Sequence, residues 1–404
     1  MLKTKEVFEV DRQRISSTID QTDGEVVTVR DIINTEEPRN KFRYQFIEIL
    51  IYFGWPVLVV FLLNLIFPQL HFAVLLLTFI FFVLWPWIKG KIGLYIAMKK
   101  KIKDPRHAIR SSSFWSDGFM FVGSSALNLV RKYSALSKSL DIIYNLPGRF
   151  GIMPKDFDEN WWKKTSRFFL LNIIIKKWTN LWFMMPIARD VRTRLEFVTQ
   201  EIKRMSLDIY SKSIEQGISK KIRIVLLAGG TKQDVIMAIS DLKKEKKDLD
   251  VEIVCVEPDG TFAVRRSYEL MDHFGVDRNL FTDLYDRVYV EPESKKTLAD
   301  CLNNKGYNFK DFDIVVCIGL GDYMYGDKIY SFLKMLDNGN KIITANITDN
   351  FVERFFLHVM LQWPKMQYLS LRTYKKILVR VFGVTRRISI LRTPNKIFNI
   401  AVIE

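Results

Sequence analysis

From about Lys220 to the carboxyl terminus, strand-like and helix-like segments alternate, and this alternation constrains the fold more than any other feature. The strand-like runs read IRIVLLA, VEIVCVE, DRVYVEP, FDIVVCIGLG and NKIITANIT. Amphipathic segments such as DVIMAISDLKKE and DKIYSFLKML separate them, and RRISILRTPNKIFNIAVIE closes the chain as a predicted hairpin. This pattern predicts an α/β fold with a Rossmann-like, doubly wound, mostly parallel seven-stranded sheet and an antiparallel edge strand.

Ligands of such sheets bind beyond the carboxyl ends of the strands, where the strand order reverses. Four predicted features meet there: the turn AGGTKQD after the first strand, Glu257 ending the second, GLGDY after the fourth and ANITDN after the fifth. Glycine lets the backbone approach a ligand closely, and a carboxylate such as Glu257 can accept hydrogen bonds from two ribose hydroxyls. The chain lacks G-x-x-x-x-G-K-[ST] and a full G-x-G-x-x-G, which excludes a P-loop and favours a ribose-containing ligand without phosphate.

These motifs, in this order, resemble class I S-adenosylmethionine-dependent methyltransferases. The resemblance covers about Arg189 to Glu404 and rests on LLAGGTKQD, VCVEPD, FDIVVCIGLGDYM, IITANI and the closing hairpin. RTRLEFV, GLGDYM and NITDNFVERFFLHVMLQWPKMQYLS are similar to one bacterial branch of this family. The family's acid at the end of strand one and its G-x-G spacing are replaced here by Leu227 and the Gly229-Gly230 pair.

The resemblance implies S-adenosylmethionine as the cofactor, with Gly229 and Gly230 bordering its methionine part and Glu257 holding its ribose. The full set of predicted cofactor-binding residues is Ala228, Gly229, Gly230, Thr231, Gln233, Glu257 and Gly319.

Methyl transfer needs a nucleophile held in line with the methyl group, and positioning supplies much of the rate. Asp322, Tyr323 and Asn346 follow predicted strands four and five, where an acceptor would lie. We predict Asp322 and Tyr323 as catalytic residues, with Asp322 orienting or deprotonating the acceptor. The alternatives are that Asp322 caps a turn or helix and that Tyr323 only packs.

An apolar run from Phe46 to Ile88 contains Glu48 as its single charged residue. A membrane span needs about 20 apolar residues, and this run is long enough for two, divided at FPQLH. We predict a two-helix transmembrane hairpin. Basic residues flank both of its ends, which places both termini and the catalytic domain on the cytoplasmic side of the cell membrane. A hairpin that enters only one leaflet is the alternative.

The predicted organisation is a cytoplasmic arm (1–45), the transmembrane hairpin (46–88), a basic linker with an amphipathic helical region (89–215) and a methyltransferase-like Rossmann domain (216–404). The arm is either a loose tail or docked on another domain. Within the linker, WWKKTSRFFLLNIIIKKW interleaves aromatic residues with lysines. This segment fits the membrane interface or packing on the following domain. A net charge of +16 favours an anionic partner, and the hairpin favours a membrane over nucleic acid.

Three cysteines without CxxC spacing and four scattered histidines predict no disulfide framework and no metal site. The predicted function is therefore a membrane-anchored methyltransferase whose partners are the lipid bilayer and a lipid-like or membrane-associated acceptor. Two alternatives stay open: a catalytically degenerate module that binds an adenosyl cofactor or a nucleotide, and a transferase that moves an aminopropyl group. The sequence does not indicate the oligomeric state.

Overall fold

The structure is a computed structural model that describes residues 16–19, 27–31, 61–62, 65–66, 130, 137–145, 183–218, 221–257, 260–284, 298–324, 327–350, 357, 366–383 and 386–404. These ranges include most of the predicted Rossmann domain. The aromatic and basic segment over 161–178 lies outside the described residues.

One mixed sheet forms the centre of the fold. Its nine strands follow the spatial order β1-β2-β8-β9-β7-β6-β3-β4-β5. The run from β5 to β7 is parallel throughout, and β9 lies antiparallel between β7 and β8. The strands are β1 (Ser16–Ile19), β2 (Val27–Asp31), β3 (Ile222–Leu227), β4 (Val251–Val256), β5 (Phe281–Leu284), β6 (Ile314–Cys317), β7 (Lys341–Ile347), β8 (Ile388–Arg392) and β9 (Phe398–Ile403).

Helices cover both faces of the sheet, as the doubly wound prediction requires. Parallel strands buried on both faces are almost continuously apolar, and β6 is buried along its whole length, as is the antiparallel β9. One core joins the sheet to α2, α3 and α4, and the other joins it to α5, α6 and α7. The helices are α1 (Ser137–Asn145), α2 (Pro186–Glu215), α3 (Gln233–Glu245), α4 (Gly260–Phe274), α5 (Leu298–Asn303), α6 (Asp327–Leu336) and α7 (Leu371–Phe382).

Helix α2 belongs physically to the sheet domain, although it lies before residue 216. Val198, Ile202 and Met205 are fully buried in the core shared with α3. Near its start, Asp190 accepts hydrogen bonds from the Thr393 hydroxyl at 2.5 Å and from the Ile397 N–H at 3.2 Å. A buried carboxylate thereby fixes the amino end of α2 to the β8–β9 hairpin.

The predicted number of strands and the predicted sheet edge are wrong. The sheet has nine strands instead of seven, because β1 and β2 of the amino-terminal arm extend it, and β2 pairs in parallel with β8. The closing hairpin therefore does not form the sheet edge. The third strand of the predicted domain is Phe281–Leu284, whereas the segment predicted for it, 286–292, lies outside the described residues.

The predicted transmembrane hairpin, 46–88, also lies outside the described residues, apart from 61–62 and 65–66, which are helical. Among the helices that the structure does describe, none combines the length and apolar character that a bilayer crossing requires.

Candidate functional site

The candidate site lies at the carboxyl edge of the parallel strands. At this point the strand order reverses, because β4 and β5 lie on one side of β3 whereas β6 and β7 lie on the other. Strand β3 lies between β4 on one side and β6 on the other. The connections after β3 and β6 therefore leave the sheet in different directions and open a crevice between them. The glycine turn follows β3, Glu257 follows β4, and the segment from Ile318 to Tyr323 follows β6.

The glycine turn has three left-handed residues at alternate positions. The φ angles are +51° at Ala228, +60° at Gly230 and +59° at Lys232. Residues other than glycine seldom adopt this conformation, because their Cβ atom approaches the backbone. Left-handed residues thus stand at every second position of the turn, as glycines would in a G-x-G-x-G sequence, but alanine and lysine occupy the two outer positions.

Glu257 faces this turn. Its carboxylate Oε2 accepts a hydrogen bond from the Gly230 N–H at 2.6 Å, and its own N–H donates to the Leu284 carbonyl at 3.2 Å. The residue is buried. The structure therefore brings together the two features that the sequence predicted to hold an adenosine, and it orients the acid toward the turn.

Two other glycines of the predicted site have different surroundings. A Cβ atom at Gly229 would lie 2.3 Å from Leu226 Cδ2, so this position has no space for a side chain. At Gly319, after β6, a Cβ atom would meet nothing within 4 Å. Gly229 is thus required for packing of the turn, while Gly319 borders open space at the crevice.

Lys232 is a residue that sequence analysis did not select. Its side chain is buried, forms an ion pair with Asp283 of β5 and donates to the Ser267 hydroxyl of α4 at 3.3 Å. The ammonium group therefore ties the turn to two neighbouring elements. A lysine soon after two glycines is the available sequence signal, but it does not reveal its partner.

Predicted ligand residue Gln233 is already engaged by the protein. Its side-chain amide exchanges two hydrogen bonds of 3.2 Å with Asn145 of α1. Asn145 also donates to Asp141 at 2.8 Å, and Asp141 accepts from Arg266 Nε at 3.0 Å. Burial raises the pKa of Asp141 to about 6 although Arg266 opposes the shift. This buried network fastens α1 to the start of α3.

Thr231, also a predicted ligand residue, is buried in the turn.

Asp322 lies in a short 3-10 helix, Gly321–Tyr323, next to the end of β7. Its Oδ1 accepts hydrogen bonds from the Ile347 N–H at 2.9 Å and from Asn346 Nδ2 at 3.2 Å. Burial raises its pKa to about 7, which the Ile347 hydrogen bond only partly opposes. The carboxyl group thus serves as a turn anchor, and its pKa lies in the range that suits a general base. Tyr323 beside it is 36% exposed.

Next to Asp322, two asparagines face each other across β7 and β9. Asn346 and Asn399 are paired in register and both are fully buried. Among the described residues, Asn346 Oδ1 and both polar side-chain atoms of Asn399 have no hydrogen-bond partner. Buried amides are normally satisfied, so this part of the edge has unused hydrogen-bonding capacity. Sequence analysis singled out Asn346 but not Asn399.

No protein-family model matches the chain, and no curated protein matches it. Among solved structures, the citrinin polyketide synthase CMeT domain aligns with a TM-score of 0.34 and 11% identity, over 56% of this chain and 58% of its own. DszA carbon methyltransferase aligns with a TM-score of 0.38 and 11% identity, over 80% of this chain and 66% of its own.

A third solved structure is magnesium protoporphyrin IX methyltransferase from Synechocystis PCC 6803 with bound SAH. It aligns with a TM-score of 0.30 and 9% identity, over 54% of this chain and 86% of its own. Because these identities and TM-scores are low, the proposed function rests on the residues of the site.

Proposed function

We propose that this protein is a membrane-anchored, S-adenosylmethionine-dependent methyltransferase that acts on a lipid-like or membrane-associated acceptor. The observation that carries the proposal is the contact between the Glu257 carboxylate and the Gly230 N–H at 2.6 Å. It joins an acid at the end of β4 to a left-handed glycine after β3, at the reversal point of the sheet.

The residues present fit an adenosine without phosphates better than a nucleotide with them. A carboxylate can accept hydrogen bonds from the ribose hydroxyls, whereas it would repel a phosphate placed at the same turn. Lys232, the nearest cation in the turn, is paired with Asp283 and therefore offers no free charge to a phosphate. The open space at Gly319 leaves room for a ligand on the β6 side.

When bound, S-adenosylmethionine supplies an electrophilic methyl group. In the proposal, Glu257 holds the ribose, and the turn from Ala228 to Gly230 borders the methionine part. Asp322 orients the acceptor or accepts its proton, which its pKa of about 7 allows near neutral pH. Asn346, which donates to Asp322 at 3.2 Å, holds that carboxyl group in place.

The membrane part of the proposal rests on sequence and on four side chains. The run from Phe46 to Ile88 is apolar and is flanked by basic residues, as expected of a hairpin with both ends in the cytoplasm. Within it, Phe61, Leu62, Leu65 and Ile66 are helical, and 45–65% of each is exposed. Large apolar side chains with this exposure are compatible with a lipid environment.

Calorimetry of the purified chain with S-adenosylmethionine, S-adenosylhomocysteine and NAD tests the cofactor. We expect the two sulfur compounds to bind and NAD to bind much more weakly. Transfer of a radioactive methyl group from S-adenosylmethionine to a membrane lipid extract, compared with a protein-only extract, then tests the acceptor. Preference for NAD, or no binding of any of the three, contradicts the proposal.

A second candidate is a catalytically degenerate module that binds the cofactor without turnover. Ala228 and Lys232 stand at the two outer left-handed positions of the turn, and the Asp322 carboxylate is engaged by the Ile347 backbone. Tight cofactor binding without methyl transfer to any membrane extract would favour this candidate.

A further inference from the structure

Arg194 is a buried arginine beside the candidate crevice. It belongs to the amino-terminal third of α2, and only 5% of its surface is exposed. Its guanidinium stacks over the ring of Phe398, 4.5 Å from the ring centroid, at the start of β9. Its Nη1 donates to the carbonyl of Ile318, the residue that follows β6 and precedes Gly319. The guanidinium therefore lies at the ligand edge of the sheet.

The hydrogen bonds of Arg194 are few and long. The donor–acceptor distances are 3.5 Å to the Ile318 carbonyl and 3.4 Å to the Tyr144 hydroxyl. Both exceed the range of about 2.7–3.2 Å that is typical of N–H···O hydrogen bonds. Nε has no partner among the described residues. A guanidinium has five N–H donors, so most of its donor capacity is unused.

Arg266 of α4, another deeply buried arginine of the domain, differs from Arg194 in its partners. Its Nε donates to Asp141 at 3.0 Å and its Nη1 donates to Glu269 at 2.8 Å, so its charge is compensated twice. Arg194 forms no ion pair with any described carboxylate. A buried charge without a counterion is costly, and among the described residues Arg194 is such a charge, at the carboxyl edge of the sheet.

Two buried carboxyl groups face Arg194 from neighbouring elements without contacting it. The positive charge of Arg194 acts to lower the pKa of both groups, Asp234 of α3 and Asp322 after β6. Asp234 Oδ1 accepts from the Val235 N–H at 2.9 Å, and Asp322 Oδ1 accepts from Ile347. Burial raises the pKa of Asp234 to about 6 and that of Asp322 to about 7, which weakens them as counterions.

We propose that Arg194 binds a carboxylate group of the ligand, with the Tyr144 hydroxyl beside it. The proposal rests on the proposed function for its source, which we assign to the amino-acid carboxylate of S-adenosylmethionine. A planar guanidinium can donate two parallel hydrogen bonds to a carboxylate. The long contacts to Ile318 and Tyr144 hold the group in place, and Nε has no partner among the described residues.

Paired probes test this inference on the full-length protein. S-adenosylhomocysteine carries the carboxylate, whereas 5′-methylthioadenosine has the same adenosine and thioether sulfur without the amino-acid end. Calorimetry should show that Arg194→Met weakens S-adenosylhomocysteine by about tenfold to a hundredfold, the range of hydrogen bonds to charged groups. The affinity for 5′-methylthioadenosine should change by less than about twofold if that bond alone is lost. Equal weakening of both probes overturns the proposal.

Thermal unfolding distinguishes binding from a structural role. Replacing buried ionic groups with apolar groups of similar volume is often neutral or stabilising. Arg194 has no ion pair among the described residues, so we expect the Tm of Arg194→Met to equal or exceed that of the wild type. Arg194→Lys should retain part of the affinity for S-adenosylhomocysteine, because it keeps the charge without the planar fork. A large fall in Tm for Arg194→Met, with both probes weakened, would assign Arg194 to the core only.

A third experiment separates this inference from the proposed function. Acetate and succinate, compared with chloride at equal ionic strength, should raise the Tm of the wild type and not that of Arg194→Met. If neither nucleoside probe binds but this difference remains, the proposed function fails while Arg194 stays a carboxylate site. If this Tm difference is found but Arg194→Met leaves the affinity for S-adenosylhomocysteine unchanged, the carboxylate that Arg194 binds belongs to the acceptor and not to the cofactor. If neither readout depends on Arg194, the proposal is wrong.

Discussion

Gly230 donates its backbone N–H to the Glu257 carboxylate at 2.6 Å, across the gap between the connections after β3 and β4. The contact fixes the acid within reach of a ligand on the turn. Both residues are on the ligand edge of adjacent parallel strands. A carboxylate accepts several hydrogen bonds at once, so a ribose placed at this point could donate to an acid that the backbone already orients.

We first predict that Glu257→Ala lowers the affinity for S-adenosylhomocysteine by about tenfold to a hundredfold, because it removes hydrogen bonds to a charged group. Calorimetry measures this change directly. Adenosine and 2′,3′-dideoxyadenosine form the matched control, since the wild type should prefer adenosine and Glu257→Ala should not discriminate. Equal binding of adenosine to the wild type and to Glu257→Ala would show that Glu257 does not hold the ribose.

A second prediction concerns packing of the turn. Because a Cβ atom at Gly229 would lie 2.3 Å from Leu226 Cδ2, Gly229→Ala should lower the free energy of unfolding by about 1–3 kcal/mol through overpacking. Leu226→Ala removes the atoms that the added methyl group would meet, so the losses caused by the two changes should be less than additive in a double-mutant cycle. Gly319→Ala is the control and should leave the Tm unchanged, since nothing lies within 4 Å of the methyl group that this substitution adds.

Asp322 gives a prediction about pH. Its folded-state pKa of about 7 lies above the ordinary value of 3.8, so between these pH values the folded state binds a proton that the unfolded state has released. Stability contributed by this group is therefore present at low pH and is lost as pH rises toward 7. Asp322→Asn should make the fall in stability with pH shallower, by up to about 1.4 kcal/mol per pH unit.

The same substitution tests the catalytic role. If deprotonated Asp322 acts as a base, methyl transfer by the wild type should rise through pH 7, and Asp322→Asn should lower kcat by about a hundredfold or more. Affinity for S-adenosylhomocysteine should not change. A variant that keeps its kcat while losing the pH dependence of stability would leave Asp322 as a turn anchor alone.

The sequence predicts the sheet well where its strands are mostly apolar and buried on both faces, as in β3, β4, β6, β7 and β9. It also predicts the relation of Glu257 to the turn, since both follow adjacent parallel strands. The strand pattern did not predict β5, because its sequence FTDL is short and half polar. DRVYVEP has a stronger strand pattern but lies outside the described residues.

Other features depend on contacts between distant residues. Lys232 and Arg194 appear in the sequence as ordinary surface cations, and only the fold buries one beside Asp283 and the other beside Phe398. Likewise, β2 pairs with β8 across most of the chain, Val27 being in register with Ile388. Local patterns carry no information about such partners, so these parts of the site and sheet were not predicted.

The network that joins α1 to the domain supports a fourth prediction. Asp141 and Arg266 are almost fully buried and are bonded at 3.0 Å. Arg266→Met alone should cost about 3–5 kcal/mol of unfolding free energy, because it leaves Asp141 buried without its partner. The double variant Asp141→Leu/Arg266→Met should recover most of that loss, as buried ion pairs replaced by apolar groups often do. Chemical denaturation of the full-length protein measures both, and an equal loss in the two variants would contradict the ion-pair explanation.

The last prediction concerns the effect of the left-handed residues of the glycine turn on stability. Ala228 and Lys232 are both left-handed, with φ of +51° and +59°, and glycine removes a conformational penalty of about 1 kcal/mol at such positions. Ala228→Gly should therefore leave the Tm unchanged or raise it, whereas Ala→Gly substitutions in ordinary conformations lower it. Lys232→Gly should lower the Tm, because the lost ion pair with Asp283 and the donor to Ser267 outweigh the relieved strain. Lys232→Met separates these effects, since it keeps the strain and most of the buried side-chain volume and loses the charge. If Lys232→Gly proves more stable than the wild type, the buried lysine is not what holds the turn to β5 and α4.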